Sequence, residues 1–346
     1  MRIVIVVTTV KMKRKRRNSK MRVIHHIDDD GLCAAAIVGN YLLDRIVEED
    51  DFFPYNHGGE LKLPEEKNLL KGETWYIVDL ALDDVIFNAI EYLTTAGCRV
   101  VHIDHHQSGI DYYNSLDDTK RKIMDSDHVT MFYNTAVSGT MLTWIYSCLD
   151  FSERKNPGIY DVEFAEDYSR FIIKNAVTPK DPMYIPFVVR YVDDYDVWRF
   201  ALSNTMDFHN GFMSEDDKRP FADIWKGLFT SERFNINPIL ARGKEITKFR
   251  ERQYKSSQSE CFESEISGIK CLACNEHLGD SHIFGEKINE YPMCVRFYYS
   301  GKDRKWKYSF YSSENGINVA EVAERFGGGG HVHAAGCVLT NNLFAE

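Results

Sequence analysis

Apolar strands that each end in an acid or a histidine constrain this chain more than any other feature. Residues 22–26 form a short β-branched run that enters His25-His26-Ile27-Asp28-Asp29-Asp30-Gly31. Residues 75–78 are apolar and end at Asp79, and residues 99–103 are apolar and end in Asp104-His105-His106. Helical spacing follows the first two, over 32–47 and 83–95, and 137–149 reads as a buried helix. Apolar strands alternating with helices predict an α/β fold, a mainly parallel sheet with helices on both faces. In such sheets ligands bind in the crevice outside the carboxyl ends of the strands. Three strands therefore deliver carboxylates and imidazoles to one edge.

The pattern changes downstream. Tyr191-Val192-Asp193-Asp194-Tyr195-Asp196-Val197-Trp198 is another acidic cluster beside aromatics, and we read all four clusters as strand ends or adjacent turns. Residues 206–262 are polar and include a charged helix over 238–260. Short alternating strands follow over 269–275, 293–299 and 305–311, the last two joined by a turn at 300–304. A helix over 319–326 runs into Gly327-Gly328-Gly329-Gly330-His331. These shifts predict a basic N-terminal extension (1–20), an α/β domain (21–205), a connector with a linker helix (206–262) and a smaller α+β domain (263–346).

The net charge of −10 is unevenly spread. Residues 1–20 hold eight of the 42 Lys and Arg and no acid, so the rest carries 34 basic against 52 acidic groups, or −18. A body this acidic is unsuited to gripping long duplex nucleic acid through its phosphates. It can still take small phosphorylated substrates where bound cations reverse the sign locally. The start, Met1-Arg2-Ile3-Val4-Ile5-Val6-Val7 followed by Lys11-Met12-Lys13-Arg14-Lys15-Arg16-Arg17, places its apolar run before its charges, the reverse of a secretory signal. That run is too short to span a membrane. We read it as a disordered extension upstream of a start at Met21, with RNA binding or targeting as the alternative, and expect a cytoplasmic protein. The eight cysteines are scattered without disulfide spacing. Cys271-Leu272-Ala273-Cys274 has no second pair near it, so we read two buried strand cysteines rather than a zinc or redox site.

The clustered residues have a chemistry. Carboxylates gathered at one place must take up protons or hold a cation. His26, Asp28 and Asp30 occupy alternate residues as the chain leaves a strand, and extended geometry points such side chains the same way, so one loop can serve two adjacent metals. Adjacent His105 and His106 project differently, so one can bind metal while the other faces substrate. Carboxylates plus imidazoles suit a Mn²⁺ or Mg²⁺ pair better than structural zinc, which would favour Cys. Four consecutive glycines carry a large entropic cost, and their backbone N–H groups offer a phosphate or nucleotide site.

The chain resembles the DHH phosphoesterase superfamily with its DHH-associated C-terminal domain, in the branch of RecJ-like nucleases and nano-RNases. His26-Ile27-Asp28-Asp29-Asp30-Gly31 is similar to the family's HxDxDG motif, Tyr76-Ile77-Val78-Asp79 to the second, and Asp104-His105-His106 to the signature triplet. The 191–198 segment resembles the fourth motif, and the 327–336 segment resembles GGGGHxxAAG. The resemblance runs from about Met21 to the C-terminus. It implies two Mn²⁺ ions, with Mg²⁺ able to replace them. His26 and Asp28 would hold one, Asp30 and His105 the other, and Asp79 would bridge. The fourth-motif ligand would be Asp194, with Asp196 competing. His106 would face the phosphate and Asp104 would orient the histidine pair. Gly328, Gly329, Gly330 and His331 would grip a terminal phosphate across an interdomain cleft. Two departures bear on substrate choice. Leu80 follows Asp79 where many relatives have a hydroxyl residue, and Tyr311 stands where many use an Arg, for which Arg296 would compensate.

The resemblance implies a Mn²⁺-dependent phosphodiesterase or exonuclease on short oligonucleotides, an oligoribonuclease-like hydrolase acting by metal-activated water. Rival substrates are 3′-phosphoadenosine 5′-phosphate, cyclic (di)nucleotides and polyphosphate, with inorganic pyrophosphate last. The reading from another class is a catalytically silent nucleotide- or RNA-binding protein. Monomer and homodimer are both open, and no membrane partner is expected.

Overall fold

The computed structural model describes residues 1–8, 20–43, 48–149, 154, 158–176, 181–230 and 236–344. The basic run at 11–17 and the end of the helix expected over 32–47 lie outside the described residues. The chain divides into two compact units, Met1–Lys244 and Glu245–Glu346.

The first unit is built on nine strands: β1 (Arg2–Thr8), β2 (Met21–His26), β3 (Phe52–Tyr55), β4 (Thr74–Val78), β5 (Arg99–Asp104), β6 (Val129–Tyr133), β7 (Gly158–Phe164), β8 (Arg170–Ile173) and β9 (Met183–Tyr184). Their order is β3-β2-β4-β5-β6-β1-β7-β8-β9. From β3 to β6 neighbours run parallel, and from β6 to β9 antiparallel. The expected α/β fold with a parallel sheet is present, extended by an antiparallel wing. Side-chain alternation splits its core. Val23, Tyr76, Val78, Val101 and Ile103 join one apolar cluster, while Ile24, Trp75, Ile77 and Val100 join the other. The first cluster includes α1 (Asp29–Ile37), α3 (Gly139–Cys148) and α4 (Phe187–Asp196); the second includes Ile86, Phe87, Ile90 and Leu93 of α2 (Asp84–Thr95).

Three expectations are corrected. Residues 2–8 are not a disordered extension: Ile3 pairs with Val162 and Val6 with Tyr133, so β1 lies between two strands made much later. Its β-branched residues favour a strand whatever charges follow them. The fourth acidic cluster is not a strand end but lies on α4, preceded by Pro186, which suits a helix start. Residues 206–230, read as connector, supply Phe208, Phe212 and Trp225 to the first unit's core. There Gly211 of α5 (Thr205–Met213) touches the backbone of α6 (Asn237–Ser259), where a Cβ would lie 2.0 Å from the Ile239 oxygen.

The second unit has β10 (Phe262–Ile266), β11 (Ile269–Asn275), β12 (Met293–Ser300), β13 (Lys305–Tyr311), β14 (Gly329–His331) and β15 (Ala334–Leu339), with helix α7 (Val319–Glu324). Its sheet order is β10-β11-β12-β13-β15-β14, parallel only at β11–β12. Cys271 and Cys274 are both buried on β11 but join different apolar clusters, so they face opposite sides of the sheet.

Candidate metal centre and anion site

Register brings the strand ends level. His25 pairs with Val78 and Val78 with Ile103, so His26, Asp79 and Asp104 form the next row across β2, β4 and β5. The chain turns sharply after His26, because a Cβ on Gly31 would lie 2.4 Å from the His26 oxygen. Asp28 caps α1, accepting the Gly31 N–H at 2.9 Å, and Asp30 sits in its first turn. Both Asp30 oxygens accept N–H bonds from the start of α3, Gly139 at 2.8 Å and Thr140 at 2.9 Å. A helix N-terminus therefore holds one carboxylate in place.

Three groups of ligand atoms converge, each within 4.8 Å: His26, Asp28 and Asp79; Asp30, His105 and Asp196; and Asp79, His105 and His106. His105 Nε2 lies 3.3 Å from Asp79 Oδ1, 3.4 Å from Asp196 Oδ2 and 3.8 Å from Asp30 Oδ2. On the other side His26 Nδ1 lies 2.7 Å from Asp28 Oδ2 and 3.7 Å from Asp79 Oδ2. Burial, then the neighbouring carboxylates Asp30, Asp28, Asp196 and Asp104, push Asp79 well above the usual carboxylate range. Asp196 rises for the same reasons, burial first and then Asp30, Asp28, Asp193 and Asp104. Asp79 Oδ2 and Asp196 Oδ2 are buried and receive no hydrogen bond among the described residues. Orphaned acceptors amid mutually repelling acids are what a divalent cation would satisfy, and oxygen and imidazole donors without thiolate fit Mn²⁺ or Mg²⁺.

The neighbouring histidines differ. Burial lowers His105, and His106 lowers it further. Burial opposes charging of His106 as well, but Asp104 outweighs it and raises His106. His106 Nδ1 bonds Asp104 Oδ1 at 2.7 Å, and the His106 N–H donates to Asp104 Oδ2 at 3.3 Å. Asp104 is held at about 2, against the effect of its burial, by His106 above all.

The two fourth-motif candidates separate. Asp196 joins the cluster. Asp194, which the sequence reading favoured, accepts the Ala201 N–H at 2.9 Å, the Leu202 N–H at 3.1 Å and the Thr205 hydroxyl, so its oxygens serve the turn after α4. The helical form of this segment is the reason, since it turns successive carboxylates to different sides. Asp193 accepts from Ser138 N–H at 2.7 Å, Tyr168 O–H at 2.8 Å and Arg199 at 2.7 Å, tying α4 to the start of α3. Sequence reasoning missed Ser138, Gly139 and Thr140, although a Ser-Gly-Thr run before an apolar helix is a capping signal. It also missed Asn56, whose side-chain oxygen lies 3.2 Å from His26 Nε2.

In the second unit the glycine run is a strand hairpin. A Cβ on Gly328 would lie 2.1 Å from the Gly336 oxygen, and Gly330, at φ 146°, would place one 2.5 Å from the Ala335 Cα. Close backbone packing thus demands two of the glycines. A cavity of about 360 Å³ is lined by Arg296, Lys307, Ser309, Gly327, Gly328 and Gly336 among others. Arg296 donates to the His277 oxygen at 2.7 Å and to Ser309 Oγ at 3.0 Å, while its buried Nε has no acceptor among the described residues. Arg296 therefore shares a cavity with Gly328. Tyr311 does not line it and contacts Phe284 instead. The side chain of His331 lies outside the described residues.

Residues 281–346 match the DHHA1 domain model. Over the whole chain, solved structures similar to it include the pGpG-specific phosphodiesterase PggH from Vibrio cholerae, 14% identical, covering 92% of this chain and 93% of that one at a TM-score of 0.46. RecJ in complex with Mn²⁺ from Thermus thermophilus is 14% identical, covering 92% and 49% at 0.43. An exopolyphosphatase-related protein from Bacteroides fragilis is 12% identical, covering 94% and 88% at 0.40. No curated protein matches the chain. Residues 281–346 are thus similar to a DHHA1 domain, which, with the Asp104-His105-His106 triplet at the sheet edge, agrees with the resemblance to the DHH phosphoesterase superfamily drawn from the sequence.

Proposed function

We propose that the protein is a metal-dependent phosphodiesterase that hydrolyses short oligonucleotides. The observation that carries this reading is the pair of buried oxygens on Asp79 and Asp196 that accept no hydrogen bond among the described residues, inside a ring of His and Asp. His26, Asp28 and Asp79 would hold one Mn²⁺ and Asp30, His105 and Asp196 a second, with Asp79 shared. Cations there would supply Lewis acidity and neutralise the charge that develops when water attacks a phosphodiester. The chain's own residues do the rest. Asp104 fixes the His106 ring and favours its protonated form, in which the imidazolium donates to a phosphoryl oxygen and can release its proton to the departing alkoxide. The start of α3 holds Asp30 against its like-charged neighbours. Arg296, Lys307 and the glycine backbone of the second unit bind the substrate's terminal phosphate.

The full chain with Mn²⁺ is tested on 5′-labelled dinucleotides to 20-mers, cyclic dinucleotides, 3′-phosphoadenosine 5′-phosphate and polyphosphate. Turnover is expected to favour the shortest oligonucleotides and to fall more than ~100-fold in Asp79→Asn and Asp196→Asn. Turnover of none of these, with RNA binding retained, overturns the enzyme reading. A preference for polyphosphate or 3′-phosphoadenosine 5′-phosphate overturns the substrate class alone.

A further inference from the structure

The first unit holds a cavity of about 330 Å³ whose lining includes Asp28, Asp30 and Asp196. Its remaining wall consists of residues with no part in holding metal. Tyr195 precedes Asp196 on α4, and His209 of α5 lies flat on it, ring centroids 3.6 Å apart at 9°. Behind them Tyr191 stacks on Phe208 at 4.9 Å and 12°, and Phe208 on Phe212 at 5.4 Å and 17°. Lys218 pairs with Asp29 in the same lining, and His209 Nδ1 lies 3.6 Å from the other Asp29 oxygen. Parallel rings flanked by one cation and one carboxylate thus adjoin the cluster assigned to the reacting phosphate.

We propose that this cavity is a nucleoside subsite, taking the base and sugar next to the scissile phosphate. It rests on the phosphodiesterase reading above and adds the substrate class it selects. The half-buried Tyr195–His209 pair, backed by the buried rings of Tyr191, Phe208 and Phe212, offers a planar face on which a base can stack, worth about 1–3 kcal/mol per base. Lys218 and Asp29 present a donor and an acceptor to its polar edge. Polyphosphate has no use for such a wall, since it carries no planar group to stack on the rings. The size is at the low end of the ~300–1,000 Å³ of small-molecule sites, so it suits one nucleoside and not two.

The test compares a dinucleotide with its abasic analogue, in which one base is replaced by hydrogen, using the full chain with Mn²⁺. His209→Ala and Tyr195→Leu should lower the ratio of kcat/KM for the two substrates by roughly 5- to 150-fold. His209→Phe, which restores a flat ring, should return the ratio to near the wild-type value. Adenosine binding to the metal-free protein, read by saturation-transfer NMR, gives a readout independent of turnover and should disappear in His209→Ala. An unchanged ratio, or an equal loss on both substrates, overturns the proposal, and so does absence of adenosine binding in the wild type. Adenosine binding without turnover of any phosphodiester supports the subsite while defeating the function proposed above.

Discussion

Asp79 stands in a left-handed backbone conformation at φ 54°, which costs a residue other than glycine about 1–3 kcal/mol. The cost is borne where β4 ends and the chain must aim one carboxylate at both His26 and His105. The sequence shows an acid after an apolar strand, but a backbone angle leaves no trace in residue type here. Nearby His102 shows how burial sets a charge state. It is fully buried, its Nε2 lies 2.7 Å from the Leu80 oxygen, and the Tyr133 hydroxyl donates to Nδ1 at 3.0 Å. Burial is the main cause that lowers its affinity for a proton. The unfolded chain binds that proton near pH 6.5, and the folded chain resists it. Stability from His102 is therefore complete above about pH 6.5 and is lost as pH falls below it. His102→Gln should be less stable at about pH 8 yet lose less on going to about pH 5.5, measured by urea unfolding in EDTA. Parallel profiles for the two proteins would show that this histidine does not govern acid sensitivity.

At the scale of elements, the centre is an encounter between the end of β4 and the start of α3. A Cβ on Gly139 would lie 2.8 Å from the Asp79 Cβ and 3.0 Å from Asp30 Oδ2. Gly139→Ala should cost about 1–3 kcal/mol and displace Asp79, lowering the melting temperature and the Mn²⁺-dependent rate together. Wild-type values of both would mean that the helix start yields without cost. Elements with strong local patterns were legible: β11 and β13 fall on the expected residues, and α2 starts one residue late. The helix α4 was not. Its acids at 193, 194 and 196 read in the sequence as a strand end or adjacent turn, yet they lie on a helix and the first two are buried, by partners as distant as Ser138 and Tyr168. No window along the chain contains those partners, so the choice of Asp196 over Asp194 had to come from the structure.

For the molecule as a whole, the glycine run and the acidic strand ends were readable because close approach and metal chemistry restrict residue type. The place of β1 was not, because pairing between residues more than 120 apart has no local signature. Deleting residues 1–20 removes Ile3 and Ile5, both buried, and strips neighbours from β6 and β7. The lost burial of these two side chains amounts to roughly 3–6 kcal/mol, which corresponds to a fall in melting temperature on the order of 10 °C. Exposed strand edges should add aggregation. A chain starting at Met21 that melts with the full chain would show that β1 contributes nothing to the sheet.

The position of β1 also fixes an order of events during synthesis. The strand β1 leaves the ribosome well before its partners at 131–133 and 158–163, so it cannot be seated until roughly 150 further residues have been made. At ~5–20 residues per second that wait is on the order of 10–30 s. Throughout it an apolar heptapeptide stands open to other nascent chains, a hazard for edge-to-edge association. The lysines and arginines that follow at 11–17 give that segment a charge that keeps like copies apart until its neighbours arrive.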